Sequence, residues 1–300
     1  MNNPDIKVNK NTPPISISTD IRGGLGSAEQ RLFQIAEAGF THVLWCHYSG
    51  REDYLYDNSE IRGIKQNLRD SGLQLLDLHA PRGSNDQWTS LIEEERIAGV
   101  NTVANRMRMT AELGGGVVMN HWYPQPMVNT PELATAYWDT SRRTFDDLEK
   151  VSRETGVKLA TENMDDEIDT FPYLKTLFNL YSPEYLGLCY DSGHGNIHGD
   201  GIDRLEEVSD RLISVHLGDN YGFQRDSSRG DHHTLPFDGT VDWDKLTTAV
   251  ANSAYKGPAS FELLMRKYPD MEVETYLAEA YKRSMIPTQM LESKRQKLAK

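Results

Sequence analysis

Along most of the chain, short apolar runs alternate with longer amphipathic stretches. The runs are PISIST (14–19), THVLWCH (41–47), LQLLDLH (73–79), GVVMNH (116–121), VKLATE (157–162), YLGLCYD (185–191), LISVHL (212–217) and PASFELL (258–264). They are short and rich in β-formers, which predicts parallel strands buried on both faces. Between them lie helical patterns such as SAEQRLFQIAEAGF, NSEIRGIKQNLRDSG and PELATAYWDTSRRTFDDLEKVSRETG. Gly39, Gly72 and Gly156 stand near three predicted helix ends, a usual stop signal. Eight strand–helix alternations over roughly 250 residues predict an α/β fold, a single-domain (β/α)8 TIM barrel. A doubly wound sheet is the competitor, but Arg22-Gly23-Gly24-Leu25-Gly26 misses the G-x-G-x-x-G spacing of its phosphate turn. The expected organisation is a disordered lead-in over 1–13, the barrel over 14–288, and a basic helical tail over 289–300. The one long connection, 218–242, exceeds the ~15 residues at which a loop in a compact domain is usually functional.

Composition narrows the picture only slightly. With 38% hydrophobic and 26% charged residues the chain has the make-up of a soluble globular protein. No run approaches the ~18 apolar residues of a membrane span. The opening MNNPDIKVNKNTPP is polar and Pro-rich, unlike a signal peptide. The two cysteines, Cys46 and Cys189, lie inside apolar runs and are expected to be buried and reduced, as in a cytoplasmic protein. Net charge is −13, which repels phosphate backbones, and clustered bases occur only in the tail ESKRQKLAK. Nucleic acid is therefore disfavoured as a partner, and a small uncharged or metal-chelated substrate is favoured. The tail is expected to extend the last helix or to reach a neighbouring subunit of a homo-oligomer.

Chemistry enters at the strand ends, because active sites of such barrels form at the C-terminal mouth. The third run ends in His79, the fourth in His121 and the fifth in Glu162. The sixth ends in Asp191 with His194 just beyond, the seventh carries His216 and the eighth Glu262. Residues two apart share a strand face. One step down from the ring thus come Ala160, Cys189, Ser214 and Ser260, all small, whereas Tyr190, Val215 and Phe261 face the helices. Ser192, Gly193 and Gly195 are read as space for a ligand. Converging carboxylates raise one another's pKa unless a cation neutralises them. Mixed N/O donors suit Mn²⁺, Zn²⁺, Co²⁺ or Fe²⁺ better than Ca²⁺. In the long loop, Asp231 and His233 are two apart and able to face the same site. Trp45 and Trp122, near strand ends, are candidates for stacking on a bound ring.

The motifs LHAP (78–81), NHWYP (120–124), TEN (161–163), CYDSGHGN (189–196), VHLGDN (215–220), D-x-H-x-x-P-x-x-G (231–239) and FELL (261–264) together resemble the xylose isomerase-like TIM barrels. That superfamily includes sugar isomerases and epimerases, inosose dehydratases and the endonuclease IV class of apurinic-site nucleases. The epimerase branch implies one divalent metal on Glu162, Asp191, His216 and Glu262, with Glu162 and Glu262 as acid/base groups transferring a proton through a metal-stabilised enediolate. His194 would then meet a substrate hydroxyl. The nuclease branch implies up to three zinc ions on a larger set that adds His79, His121, His194, Asp231 and His233. Against a nuclease stand the acidic charge and an opening strand, ISISTD, without the histidine of that branch. Met164 occupies the place where hydride-shift aldose isomerases carry a lysine, and Lys158 lies ~13 Å down the strand at ~3.3 Å per residue. Proton transfer is therefore favoured over hydride shift. The expected activity is a metal-dependent sugar isomerase or epimerase, with an endonuclease IV-like phosphodiesterase or an inosose dehydratase-like lyase as alternatives.

Overall fold

The computed structural model describes residues 12–22, 28–46, 54–81, 87–122, 130–164, 170–223 and 230–300. The eight apolar runs form the strands β1 (Ile15–Ser18), β2 (His42–Trp45), β3 (Gln74–His79), β4 (Val117–Asn120), β5 (Lys158–Glu162), β6 (Leu186–Asp191), β7 (Leu212–His216) and β8 (Ala259–Phe261). Neighbouring strands pair in parallel, and the sheet order is β7-β6-β5-β4-β3-β2-β1-β8. A parallel bridge between Leu217 and Phe261 closes the ring. It is held by Leu217 N–H to the Ser260 carbonyl at 2.8 Å and Glu262 N–H to the Leu217 carbonyl at 3.0 Å. The chain is thus a (β/α)8 barrel in one domain.

The helices α1 (Ala28–Ala38), α2 (Asn58–Ser71), α3 (Glu93–Leu113), α4 (Pro131–Thr155), α5 (Phe171–Leu180), α6 (Ser192–His198), α7 (Gly201–Glu207), α8 (Trp243–Asn252) and α9 (Val273–Leu298) lie along the sequence between and after the strands. Gly72 and Gly156 take left-handed conformations at the ends of α2 and α4, where a side chain would be strained. Asp57 and Glu60 cap the start of α2 reciprocally, satisfying main-chain N–H groups that have no partner within the helix.

Strand alternation sorts the two faces as the pattern predicts. Tyr190, Val215 and Phe261 are buried in the main apolar core with residues from the helices. Met119, Ala160 and Cys189 form a separate small cluster beneath the mouth. Cys46 and Cys189 are both buried thiols outside any disulfide. Of the expected lead-in, residues 1–11 lie outside the described residues. The expected helical tail is the continuation of α9, which runs without a break past position 289 to Leu298. There Leu291 is buried, and the Arg295 guanidinium donates to the carbonyls of Gly257 and Tyr255 at 2.9 and 3.0 Å. No helix among the described residues is long and apolar enough to cross a membrane.

Candidate metal centre

Parallel pairing brings the polar strand ends to one level. Asp191 pairs in register with His216 and Glu162 with Cys189, so neighbouring ends are staggered around one mouth. Ligand atoms of Glu162, Asp191, His216 and Glu262 all lie within 4.8 Å of one another. The four side chains are buried, Glu162, Asp191 and His216 completely. His216 Nδ1 sits 3.0 Å from Glu262 Oε2 and 3.5 Å from Glu162 Oε1. Two further groups adjoin this one: His79, His121 and Glu162 on one side, and His194, Asp231 and His233 on the other. In the first, His121 Nε2 is 2.9 Å from Glu162 Oε2. In the second, His233 Nε2 is 2.9 Å and His194 Nε2 3.7 Å from Asp231 Oδ1.

The imidazoles are aimed by the main chain. A carbonyl only accepts, so a ring nitrogen bonded to one carries the proton. Nδ1 of His79 donates to the Ala80 carbonyl at 2.8 Å, Nδ1 of His194 to Asn163 at 2.8 Å, and Nδ1 of His233 to Glu262 at 3.2 Å. Each thereby leaves Nε2 as the nitrogen able to ligate an ion once it carries no proton. Asp191 has two tasks. Its Oδ1 accepts the His194 amide N–H at 2.7 Å and caps α6, while Oδ2 is buried without a hydrogen bond.

Electrostatics show why such a cluster calls for a cation. Burial pushes Asp191 up to about 6 despite the nearby His194 and His233. Burial would also raise Glu162, but His121 and His216 overcome it and hold the carboxyl well below its ordinary range. Glu262, likewise buried, is drawn down to about 2, chiefly by His216. Burial lowers His79 to about 3, with the neighbouring His121 adding to it, so that ring stays neutral and able to ligate. His233 resists burial and is raised to about 10 by Asp231. Protons on imidazoles therefore do part of the neutralising that a divalent ion would do, and ion binding releases them. Both Glu162 oxygens, Asp191 Oδ2 and His216 Nδ1 are buried without a directed hydrogen bond. Buried acceptors in that state are costly, and a divalent cation satisfies all of them at once. The residues present fit such an ion.

Every expected ligand position lies at this mouth; the tryptophans do not behave as expected. Trp122 is fully enclosed, donates from Nε1 to Ser141 Oγ at 3.2 Å, and packs edge-on against Trp138 and Phe145. Trp45 is only 1% exposed. Neither offers an open ring face to a sugar; both are core. Of the small residues of CYDSGHGN, Ser192 and Gly195 line a cavity of about 260 Å³ with Asn196, Thr240 and Lys245, while each is also held close by its neighbours. Ser192 exchanges hydrogen bonds with Gly218 at 2.7 and 2.9 Å. A Cβ on Gly195 would collide with the Tyr190 hydroxyl, and one on Gly193 would press on Asn220.

Sequence reasoning passed over Asn163, Asp219 and Asp77. Asn163 clamps the end of β6: its Oδ1 accepts the Asp191 N–H at 2.8 Å and its Nδ2 donates to the Asp191 carbonyl at 2.9 Å. The TEN motif contained it, and an amide at a buried strand end was the available signal. Asp77 shares the interior face of β3 with His79, as period-two alternation indicates.

Comparison with known proteins follows the same lines. Residues 32–285 match the family model described as Xylose isomerase-like TIM barrel. The chain is 32% identical over 288 residues to the uncharacterized protein y4fM of Sinorhizobium fredii, covering 88% of this chain and 90% of that protein. It is 27% identical over 143 residues to an inosose dehydratase of Bacillus cereus, covering 43% of this chain and 48% of that protein. It is 26% identical over 189 residues to the 3-dehydro-D-guloside 4-epimerase of Escherichia coli, covering 59% and 71%. Among solved structures, a D-tagatose 3-epimerase-like protein superposes with a TM-score of 0.75 at 20% identity, over 95% of this chain and 99% of that one. On the family match and the y4fM similarity together, the chain belongs to the xylose isomerase-like TIM barrel family.

Proposed function

We propose that this protein is a divalent-metal-dependent sugar isomerase or epimerase that works by proton transfer between substrate carbon and two glutamates. Glu162, Asp191, His216 and Glu262 would hold the ion, Mn²⁺, Zn²⁺, Co²⁺ or Fe²⁺ by donor type. When bound, the ion supplies positive charge that stabilises negative charge building up on a substrate oxygen. The observation that carries the reading is the pair Glu162 and Glu262. They come from β5 and β8, with β6 and β7 between them, and both reach His216 Nδ1. Both carboxyls are held low, Glu162 by His121 and His216 and Glu262 by His216 first, so both are ionised near neutral pH and ready to take a proton. One carboxylate removes the proton beside the substrate carbonyl, and a proton is then returned either by that same glutamate or by the other once it has taken one up from solvent. His194 and His79 present Nε2 to substrate hydroxyls. Met164, buried where a hydride-shift isomerase has lysine, supports proton transfer. A lyase similar to the inosose dehydratase relative would begin with the same proton removal.

Ketoses and keto-polyols incubated with the metal-loaded protein in D₂O should gain deuterium next to the carbonyl. Glu162→Gln and Glu262→Gln should fold normally and lose at least about 10²-fold in rate, the lower range for a general base. Normal turnover by either variant, or no exchange across the panel, overturns the reading.

The two flanking groups favour one second reading. His79/His121/Glu162 and His194/Asp231/His233 are each able to hold an ion, which makes room for a three-zinc phosphodiesterase centre. Metal counting by anomalous diffraction separates the two: one ion supports the isomerase, and three with cleavage of abasic DNA support the phosphodiesterase.

A further inference from the structure

Of the imidazoles at the mouth, His79, His194 and His233 share one device, an Nδ1–H on a main-chain carbonyl that keeps Nδ1 from ligating. His216 is turned the other way. Its Nδ1 faces Glu262 and Glu162 at 3.0 and 3.5 Å, and no main-chain carbonyl is bonded to its Nε2. If Nδ1 is to ligate, Nε2 must carry the proton, and that N–H needs an acceptor in the barrel interior.

The group waiting there is Asp77. It lies mid-strand in β3, is 1% exposed, and places Oδ2 3.9 Å from His216 Nε2. The same oxygen accepts the hydroxyl of Ser214, which sits two residues before His216 on β7. Asp77 Oδ1 and His216 Nε2 are both buried without a hydrogen bond. An acid in a barrel interior is costly unless something there uses it. The Cys189 thiol also neighbours the His216 ring, but sulfur is a weak acceptor.

We propose that Asp77 is a positioning residue of the metal centre: its carboxyl group accepts the Nε2–H of His216, fixes the tautomer that leaves Nδ1 as ligand, and holds the ring plane. Ser214 holds Asp77 in turn. This rests on the reading that Glu162, Asp191, His216 and Glu262 bind a divalent ion.

The test uses the full chain and Co²⁺, with affinity measured by chelator competition and coordination by the visible absorption bands. Asp77→Leu keeps the branched shape at somewhat larger volume and removes the acceptor; Asp77→Asn is isosteric and keeps an acceptor oxygen. Asp77→Leu is expected to weaken Co²⁺ binding by about 10- to 100-fold and shift the bands, the usual effect of losing such a partner, and Asp77→Asn to recover most of the loss. Equal affinity and spectrum for Asp77→Leu and the unchanged protein overturns this inference alone. Failure of the unchanged protein to bind Co²⁺ overturns the metal reading itself. A readout that needs no variant is ¹⁵N-histidine NMR of the Zn²⁺-loaded protein. His216 is expected as the Nε2–H tautomer, and an Nδ1–H form overturns the proposal.

Discussion

At the scale of single residues, the ligands are held by groups that never touch the ion. Asn163 shows this best, because one side chain satisfies both the N–H and the carbonyl of Asp191 while its own carbonyl orients His194. Asn163→Ala leaves two buried main-chain groups unpaired, at about 1–3 kcal/mol each. Urea unfolding should therefore show a loss of about 2–4 kcal/mol, with weaker metal retention at the same time; a loss under about 0.5 kcal/mol sinks the clamp. Such support was hard to see in the sequence. Asp191, His216 and Glu262 stand out because acids and imidazoles interrupt apolar runs at strand ends. The partner of Asn163 is 28 residues away and depends on the β5–β6 register, which periodicity does not supply. The tryptophans misled for a related reason. Position near a strand end does not say which face a ring takes, and Trp122 turned into an aromatic cluster with Trp138 and Phe145.

At the scale of elements, the long connection after β7 is the segment that most needs internal support, since it carries Asp231 and His233. Its anchor is Asp219, fully buried. Oδ1 accepts the N–H groups of Asn220 and Val241 at 2.9 and 3.0 Å, and Oδ2 accepts Phe237 N–H and Trp243 Nε1–H at 2.9 and 3.0 Å. Main-chain bonds between Asp219 and Thr234, at 2.9 and 3.1 Å, tie the stretch after His233 back to the strand end. Gly239 belongs to the same knot, because a Cβ there would collide with the Asn220 carbonyl and Asp219 Oδ1. The glycine in D-x-H-x-x-P-x-x-G thus answers to packing around an anchor that precedes the motif. Asp219→Ala orphans four donors and should cost at least about 3 kcal/mol. The same variant should bind fewer ions per chain at equilibrium if the loop residues ligate. Full stability by urea titration rules the anchor out.

At the scale of the whole molecule, the (β/α)8 plan was legible because buried strands and amphipathic helices differ in both length and period. The far end was legible in part: ESKRQKLAK is expected to extend the last helix, as it does, but its charge does not say which groups it meets. In the fold, two of its four basic residues point at specific acceptors. Lys294 Nζ reaches Asp244 Oδ1 at 2.7 Å and Thr248 Oγ1 at 2.7 Å on α8, and Arg295 covers the carbonyls of Tyr255 and Gly257 just before β8. Leu291, 1% exposed, sits on the apolar side of the same turns. Because β8 closes the barrel and carries Glu262 just past its end, the last turns of α9 brace the strand that completes the ligand set. A chain ending at Thr288 loses Leu291 burial, worth about 2–5 kcal/mol when such a side chain is removed, together with the Arg295 bonds. Its unfolding midpoint in urea should fall by the equivalent of about 3 kcal/mol or more, independent of protein concentration. Leu291→Ala should account for a large share of that drop. A drop that appears only at low concentration would instead assign the segment to subunit contact, and no drop would show that these turns brace nothing.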